Sequence, residues 1–331
     1  MRKFLYLFLF VIVCCTNKNE TSPISNPANE EVPIVATDAI YDVTKAENIT
    51  YAQGLSHQTI NSDIASTVTL ELDAYVPNNN SDNRPAIVLI HGGSFEFGSK
   101  TVPAMVNLAN FFASRGWVAF SINYRLKKAK GTVPEAWVQY ARTHLNLTTA
   151  AQSFSYYPAN RDAKAAIRWL YANAENYGVN ADYLTVGGGS AGAAIAIMLG
   201  ASEAEDYTEE ISLEMDPTLS TTHLDQPSKV HTVLNFWGSL AMVNILEKVY
   251  GRQRFDENDA PVMIAHGTTD AIVDFDRAEA LRDEYEATGV PFEFYPLVGE
   301  AHSAWDATVN GQSLEELSFD FIVAQQGLRQ E

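Results

Sequence analysis

The sequence predicts an α/β architecture: a mostly parallel central sheet, helices on both faces and inserted loops over one edge. Short apolar strand-like runs alternate with helical stretches along the chain, the pattern of a layered α/β sheet. Two of those runs, Ala86–Ile90 and Trp117–Ile122, are continuously apolar, as strands buried on both faces must be. A glycine-rich turn, Gly187-Gly188-Gly189-Ser190, lies between a third such run and an apolar helical stretch.

At the N terminus, residues 1–15 read as a targeting segment. Arg2 and Lys3 precede an unbroken apolar run, Phe4–Val13. Ten helical residues rise about 15 Å, too little for a bilayer core of roughly 30 Å. The run ends at Cys14-Cys15 and turns at once to Thr16-Asn17-Lys18-Asn19-Glu20. That pattern resembles a bacterial lipoprotein signal, in which a lipidated cysteine becomes the first residue of the mature chain. Lipidation is expected at Cys15, with Cys14 as the alternative; a plain cleaved secretory signal is the other reading. The expectation is an exported protein, periplasmic or at the cell surface, touching a membrane through its lipid anchor only. Residues 16–44, rich in Asn, Glu, Pro, Ser and Thr, read as a flexible polar linker. Residues 45–331 read as one domain.

Within that domain, Thr67–Val76 alternates apolar and polar residues and reads as a half-exposed antiparallel strand. Asn160–Tyr177 has the spacing of an amphipathic helix, with Ala163, Ala166, Ile167, Leu170 and Ala174 on one stripe. Tyr183–Val186 is a buried strand and Ala191–Leu199 the helix after the glycine turn. Val230–Phe236, Val262–Ala265 and Phe292–Leu297 complete the strands, with a helix over Ala278–Ala287. Two segments break the rhythm: Lys127–Tyr157, carrying Trp137, Tyr140, Phe154, Tyr156 and Tyr157, and the acidic Ser202–Ser228. Both read as pocket walls or a lid over the ligand crevice, or else as ordinary surface loops.

Composition narrows the function. At 46% hydrophobic and 19% charged residues, the chain is neither collagen-like nor largely disordered. A net charge of -19, from 22 basic and 41 acidic side chains, repels a phosphate backbone, so no nucleic acid is expected as a partner. Both cysteines sit side by side in the leader, which excludes a disulfide scaffold. No His/Cys/Asp cluster has metal-ligand spacing, and the glycine turn lacks the lysine of a P-loop. No metal or cofactor is expected.

The strongest chemical signal is Gly188-Gly189-Ser190-Ala191-Gly192, a G-x-S-x-G match between strand and helix. Such a turn holds its serine in a strained backbone conformation, so its neighbours must be small, and it aims the hydroxyl outward. The plainer alternative is an N-cap serine after a glycine loop. A second signal, His91-Gly92-Gly93-Ser94-Phe95, directly follows Ala86–Ile90. Glycines there let backbone N–H groups approach the negative charge that acyl transfer develops. His91 is expected to brace this loop rather than move protons.

An acid and a base follow. The strand Val262–Ala265 runs into His266-Gly267-Thr268-Thr269-Asp270, which puts Asp270 at the carboxyl end of the sheet. Asp274 and Asp276 are rivals, Asp276 also as a cap for the next helix. His302 lies in the loop after Phe292–Leu297, where an imidazole can take a hydroxyl proton and return it to a leaving group. His266, inside its strand, is expected to be a packed core residue.

Ser190, Asp270 and His302 occur in the chain order Ser…Asp…His. With H-G-G-S-F ahead of G-G-G-S-A-G, and with Arg161-Asp162-Ala163-Lys164-Ala165-Ala166-Ile167-Arg168-Trp169-Leu170 before the elbow, the chain resembles the carboxylesterase and lipase branch of the α/β hydrolases. The likeness covers about residues 86–302. It implies the α/β-hydrolase fold, Ser190 as nucleophile, His302 as general base and acid, and Asp270 as its orienting carboxylate. It further implies an oxyanion hole from the amides of Gly93, Ser94 and Ala191. The implied activity is a carboxylic-ester hydrolase acting on small-molecule or polymer-borne esters, without a cofactor. Ser94 departs from the usual third glycine, and Gly189 stands where the hormone-sensitive-lipase group has Asp and many carboxylesterases have Glu. The aromatic segment 137–157 would suit an aromatic or medium acyl group. An exported serine peptidase of the same fold, or a non-catalytic surface binding protein on a hydrolase scaffold, are the competing readings.

Overall fold

The computed structural model describes residues 31–331; the expected signal, Cys14, Cys15 and most of the expected linker lie outside the described residues. In chain order the elements are β1 (Ile34–Val35), β2 (Val43–His57), β3 (Ala65–Pro77), β4 (Arg84–Ile90), α1 (Pro103–Ala113), β5 (Val118–Ile122), α2 (Glu135–His144), α3 (Leu147–Asn173) and β6 (Val179–Gly189). There follow α4 (Ala191–Ala201), β7 (Thr232–Phe236), α5 (Ala241–Tyr250), β8 (Val262–Gly267), α6 (Asp276–Thr288), β9 (Phe292–Leu297), β10 (Thr308–Val309), β11 (Gln312–Ser313), α7 (Leu314–Gln326) and β12 (Arg329–Gln330).

Among the described residues, eight strands form one sheet in the order β2-β3-β5-β4-β6-β7-β8-β9. The pairs β2–β3 and β3–β5 are antiparallel, and every pair from β5 to β9 is parallel. This is the α/β-hydrolase fold. Successive residues of a strand face opposite sides, and β4 shows it. Ala86, Val88 and Ile90 pack with Ile167, Leu170 and Ile195 on one face. Ile87 and Leu89 pack with Phe112, Phe321 and Ile322 on the other. Helices cover both faces, so a continuous apolar run is what these positions require. Each fully buried large aliphatic side chain contributes about 1.5–3 kcal/mol.

Helices α1, α5 and α7 add to the expected elements. Pro103 opens α1, whose buried Met105, Leu108, Ala109 and Phe112 recur at helical spacing. Helix α7 starts with a reciprocal capping box between Ser313 and Glu316 and stops at Gly327 in the left-handed region.

Four expectations need correction. The linker does not extend to residue 44: β1 pairs in parallel with β12, Val35 and Ala36 are buried, and β2 begins at Val43. Two residues are too short to show periodicity, and their partner is the far C-terminal end of the chain. The segment 127–157 is not a loop over the crevice, because most of it is α2 and the first part of α3, with Trp137 and Tyr157 fully buried. Helix α3 is also not simply amphipathic. Asn160, Arg161, Asp162, Lys164 and Arg168 are buried along with its apolar stripe.

The segment 202–228 supplies the reason. Instead of a lid it forms a cover over the outer face of α3. Arg161 donates to Thr218 Oγ1 at 3.0 Å, Lys164 to the carbonyls of Glu203 and Asp206, and Arg168 to Ala204 O. On the other side, Asp162 accepts from the Arg125 backbone N–H at 2.8 Å and from its guanidinium at 2.7 and 2.9 Å. Arg125 also reaches Leu55 O at 2.9 Å, tying β2 to α3. Asp162→Ala should therefore leave a buried, unpaired guanidinium and destabilise the fold by about 3–5 kcal/mol. Denaturant unfolding of the two proteins checks this.

Candidate active site

Every sequence-predicted chemical residue lies at a carboxyl end of the parallel sheet. Gly93 and Ser94 follow β4, Ser190 follows β6, Asp270 follows β8 and His302 follows β9. This is where open α/β sheets form their ligand crevices.

Ser190 has φ 56° and ψ -120° between the end of β6 and the start of α4, a backbone strain of about 1–3 kcal/mol for a non-glycine residue. Surrounding bonds hold it: its N–H donates to Phe236 O at 2.9 Å and its C=O accepts from Ala194 N at 3.0 Å. A Cβ at Gly188 would stand 2.4 Å from Ile90 O, and one at Gly192 2.0 Å from the same atom. Only glycine lets the elbow sit this close to β4.

The loop after β4 is shaped as tightly. Gly93 has φ +112° and Ser94 φ 53°, and Gly93 O accepts from the N–H groups of Glu96 and Phe97. His91 is the brace expected of it. Its ring stacks on Tyr124 at 4.4 Å, its Nδ1 lies 2.7 Å from Gly92 O, and burial pushes its pKa down to about 4. Phe95 packs against Tyr156 of α3 at 4.8 Å, so that aromatic supports the loop from behind. Among the described residues, the N–H groups of Gly93, Ser94 and Ala191 meet no protein acceptor. Three free donors beside one hydroxyl can hold a developing oxyanion.

Asp270 and His302 meet: Nδ1 of His302 stands 2.7 Å from Asp270 Oδ2. The other carboxylate oxygen, Oδ1, accepts from Ile272 N at 2.8 Å and Val273 N at 3.0 Å. Burial pushes the Asp270 pKa up, but the bonds from His302, Val273 and Ile272 outweigh it and hold the carboxyl below the usual aspartate range. The rivals are exposed: Asp274 lies on the surface and Asp276 is the first residue of α6. His266 is fully buried in β8.

Ser190 and His302 line one cavity of about 550 Å³ together with Gly93 and Ser94. Its other walls are Phe97, Met105, Trp237, Ile272 and Trp305 with their neighbours, and no carboxylate, amine or guanidinium side chain lines it. Trp237 and Trp305 meet edge to face at 4.6 Å. These two, rather than the aromatics of 137–157, shape the pocket. Trp305 also accounts for the departure at Gly189, since a Cβ there would lie 2.7 Å from its Cζ2. Trp237 directly follows β7, and Trp305 lies three residues past His302 in the loop after β9. That position was their only signal in the sequence. No group of three or more His, Cys, Asp or Glu among the described residues is placed to hold a metal ion.

The BD-FAE family model matches residues 72–146 and 136–255, which together span more than half of the chain. Esterase LipQ of Mycobacterium tuberculosis is 24% identical over 266 residues, covering 72% of this chain and 55% of LipQ. Esterase LipC of the same organism is 22% identical over 225 residues, covering 61% of this chain and 48% of LipC. The chain thus spans about half the length of these curated relatives. Among solved structures, a propionate-bound esterase of Thermogutta terrifontis shares the fold at a TM-score of 0.57 and 22% identity, over 86% of this chain and 94% of that one. A truncated carbohydrate esterase from gut microbiota does so at 0.60 and 18%, over 90% and 100%.

Proposed function

We propose that this chain, which belongs to the BD-FAE family, hydrolyses carboxylic esters through an acyl-enzyme on Ser190. The observation that carries the reading is the part-buried Asp270–His302 bond of 2.7 Å at the wall of the cavity that Ser190, Gly93 and Ser94 also line. In this mechanism the Ser190 hydroxyl attacks the acyl carbonyl as His302 Nε2 takes its proton. The amides of Gly93, Ser94 and Ala191 take the charge on the carbonyl oxygen. His302 then protonates the departing alcohol, and a water activated by the same imidazole releases the acid. Asp270 holds the Nδ1–H tautomer and stabilises the imidazolium that forms. Esterase relatives and an esterase among the fold neighbours favour an ester over an amide.

A cavity walled by indole and aliphatic groups, with no carboxylate, amine or guanidinium side chain among its lining residues, favours a neutral acyl group with apolar or aromatic surface. The carbohydrate esterase among the fold neighbours makes a sugar-borne ester a natural alcohol side. Arg2, Lys3, the run Phe4–Val13 and Cys14-Cys15 support export and lipid anchoring at Cys15, which would set the enzyme on extracellular or periplasmic esters. Steady-state assays on p-nitrophenyl esters of graded length, aryl esters of sugars and a matched peptide amide test this reading. Hydrolysis of the amide at the ester's rate would reject it, as would failure of an organophosphonate to label Ser190. Trp305→Ala should raise KM for an aryl ester about tenfold, because about 1.4 kcal/mol of lost apolar contact is a factor of ten. Its kcat for an acetate ester should stay within a few-fold of the parent, and a KM series across acyl groups shows whether it does.

A further inference from the structure

His266 is buried in β8, four residues before Asp270, and its surroundings ask more of it than packing. Its Nε2 lies 2.8 Å from Val273 O and 3.2 Å from Asp270 Oδ2, the same oxygen that accepts from His302. A carbonyl and a carboxylate only accept, so Nε2 carries the proton. On the far side of the ring, Nδ1 is buried without a partner. An apolar residue would avoid that cost; what the imidazole supplies in exchange is its single donor. Val273 makes the arrangement a closed clamp, because its N–H donates to Asp270 Oδ1 while its C=O accepts from His266. The ring is itself wedged edge-on against Phe275 at 6.0 Å.

We propose that His266 is a positioning residue for the proposed triad: by donating from Nε2 to Val273 O and Asp270 Oδ2 it fixes the turn 270–273 and the face that the carboxylate presents to His302 Nδ1. It touches neither substrate nor reacting atoms and acts only through Asp270. A second consequence is protonation. Burial lowers the His266 pKa, so the ring is neutral and adds no charge beside His302; the titratable groups it faces are Asp270 and His302.

The inference rests on the reading of Ser190, His302 and Asp270 above, and one pair of variants tests it separately. His266→Gln keeps a donor near the position of Nε2, and His266→Met has similar length and volume without one. The Met variant should lose about 10- to 100-fold in kcat, the cost of a misplaced catalytic group, with KM nearly unchanged. The Gln variant should recover most of that loss although both change core packing alike. Equal losses in the two variants, or a parental kcat in the Met variant, would overturn the proposal. Nitrogen NMR of the unmodified protein supplies a test that needs no variant to fold: His266 must be the Nε2–H tautomer, and the Nδ1–H tautomer would overturn it. If Ser190→Ala instead keeps full activity, the triad reading fails first, and the two failures are distinguishable.

Discussion

Ser190→Ala should lower kcat for a p-nitrophenyl ester by about 10⁴–10⁶-fold, leaving only what the oxyanion donors and substrate binding supply. The size of the effect follows from the cavity. Two other hydroxyls, Ser94 and Ser303, line it and share a positive φ, 53° and 67°, but neither sits at a junction of strand and helix. Ser190 alone stands at the head of α4 with φ 56°, between a buried strand and a helix packed against β4. Alanine keeps the Cβ and the backbone there, so thermal unfolding should be unchanged while turnover is lost. Stopped assays at high enzyme concentration, with mass spectrometry of the phosphonate adduct, measure both. A Ser190→Ala protein that still turned over and was labelled at Ser94 or Ser303 would move the nucleophile.

Asp270→Asn should cost nearly as much, about 10⁴-fold in kcat, by holding the wrong imidazole tautomer. The carboxylate accepts His302 Nδ1–H at 2.7 Å; an amide nitrogen in that place would donate instead and turn the lone pair of Nδ1 toward itself. The Nε2 that must accept the serine proton would then already carry one. The same carboxylate has a pH signature. Its folded pKa is depressed, so its contribution to stability is complete above the unfolded value of about 3.9 and is lost as pH falls through the lower folded value. Asp270→Asn should therefore flatten the acid limb of the stability curve. Unfolding midpoints measured across acid pH for both proteins test that, alongside the kinetics.

Local chemistry made much of this site legible. The glycines of the elbow and of the loop after β4 are forced by close approach, and close approach leaves a mark in sequence as a run of residues without Cβ atoms. Asp270 and His302 could be picked from their rivals because both follow predominantly apolar strand runs, β8 and β9, which are among the easier elements to read. The walls of the cavity carried no such mark. Trp237 and Trp305 are single aromatics in irregular chain, and their meeting edge to face depends on two strand ends far apart in sequence. The aromatic segment 137–157 misled for the converse reason. Its rings are conspicuous in sequence, but α2 and α3 turn Trp137 and Tyr157 into the core, and Tyr156 braces Phe95 from behind.

What the sequence by itself determined was seven of the eight strands of the central sheet, all but β2, and the identity of the groups able to do chemistry, because these depend on spacing and residue type over a few positions. The tertiary structure alone decided which helix face is covered, where the folded body begins and what shapes the pocket. Arg161, Lys164 and Arg168 are buried because 202–228 folds over them, and Val35 because β1 packs back on the core that holds Phe112, Trp117 and Leu328. Such contacts join residues through space with no local pattern to announce them, and His266, an ordinary core histidine by its strand, gains its partner in Asp270 the same way.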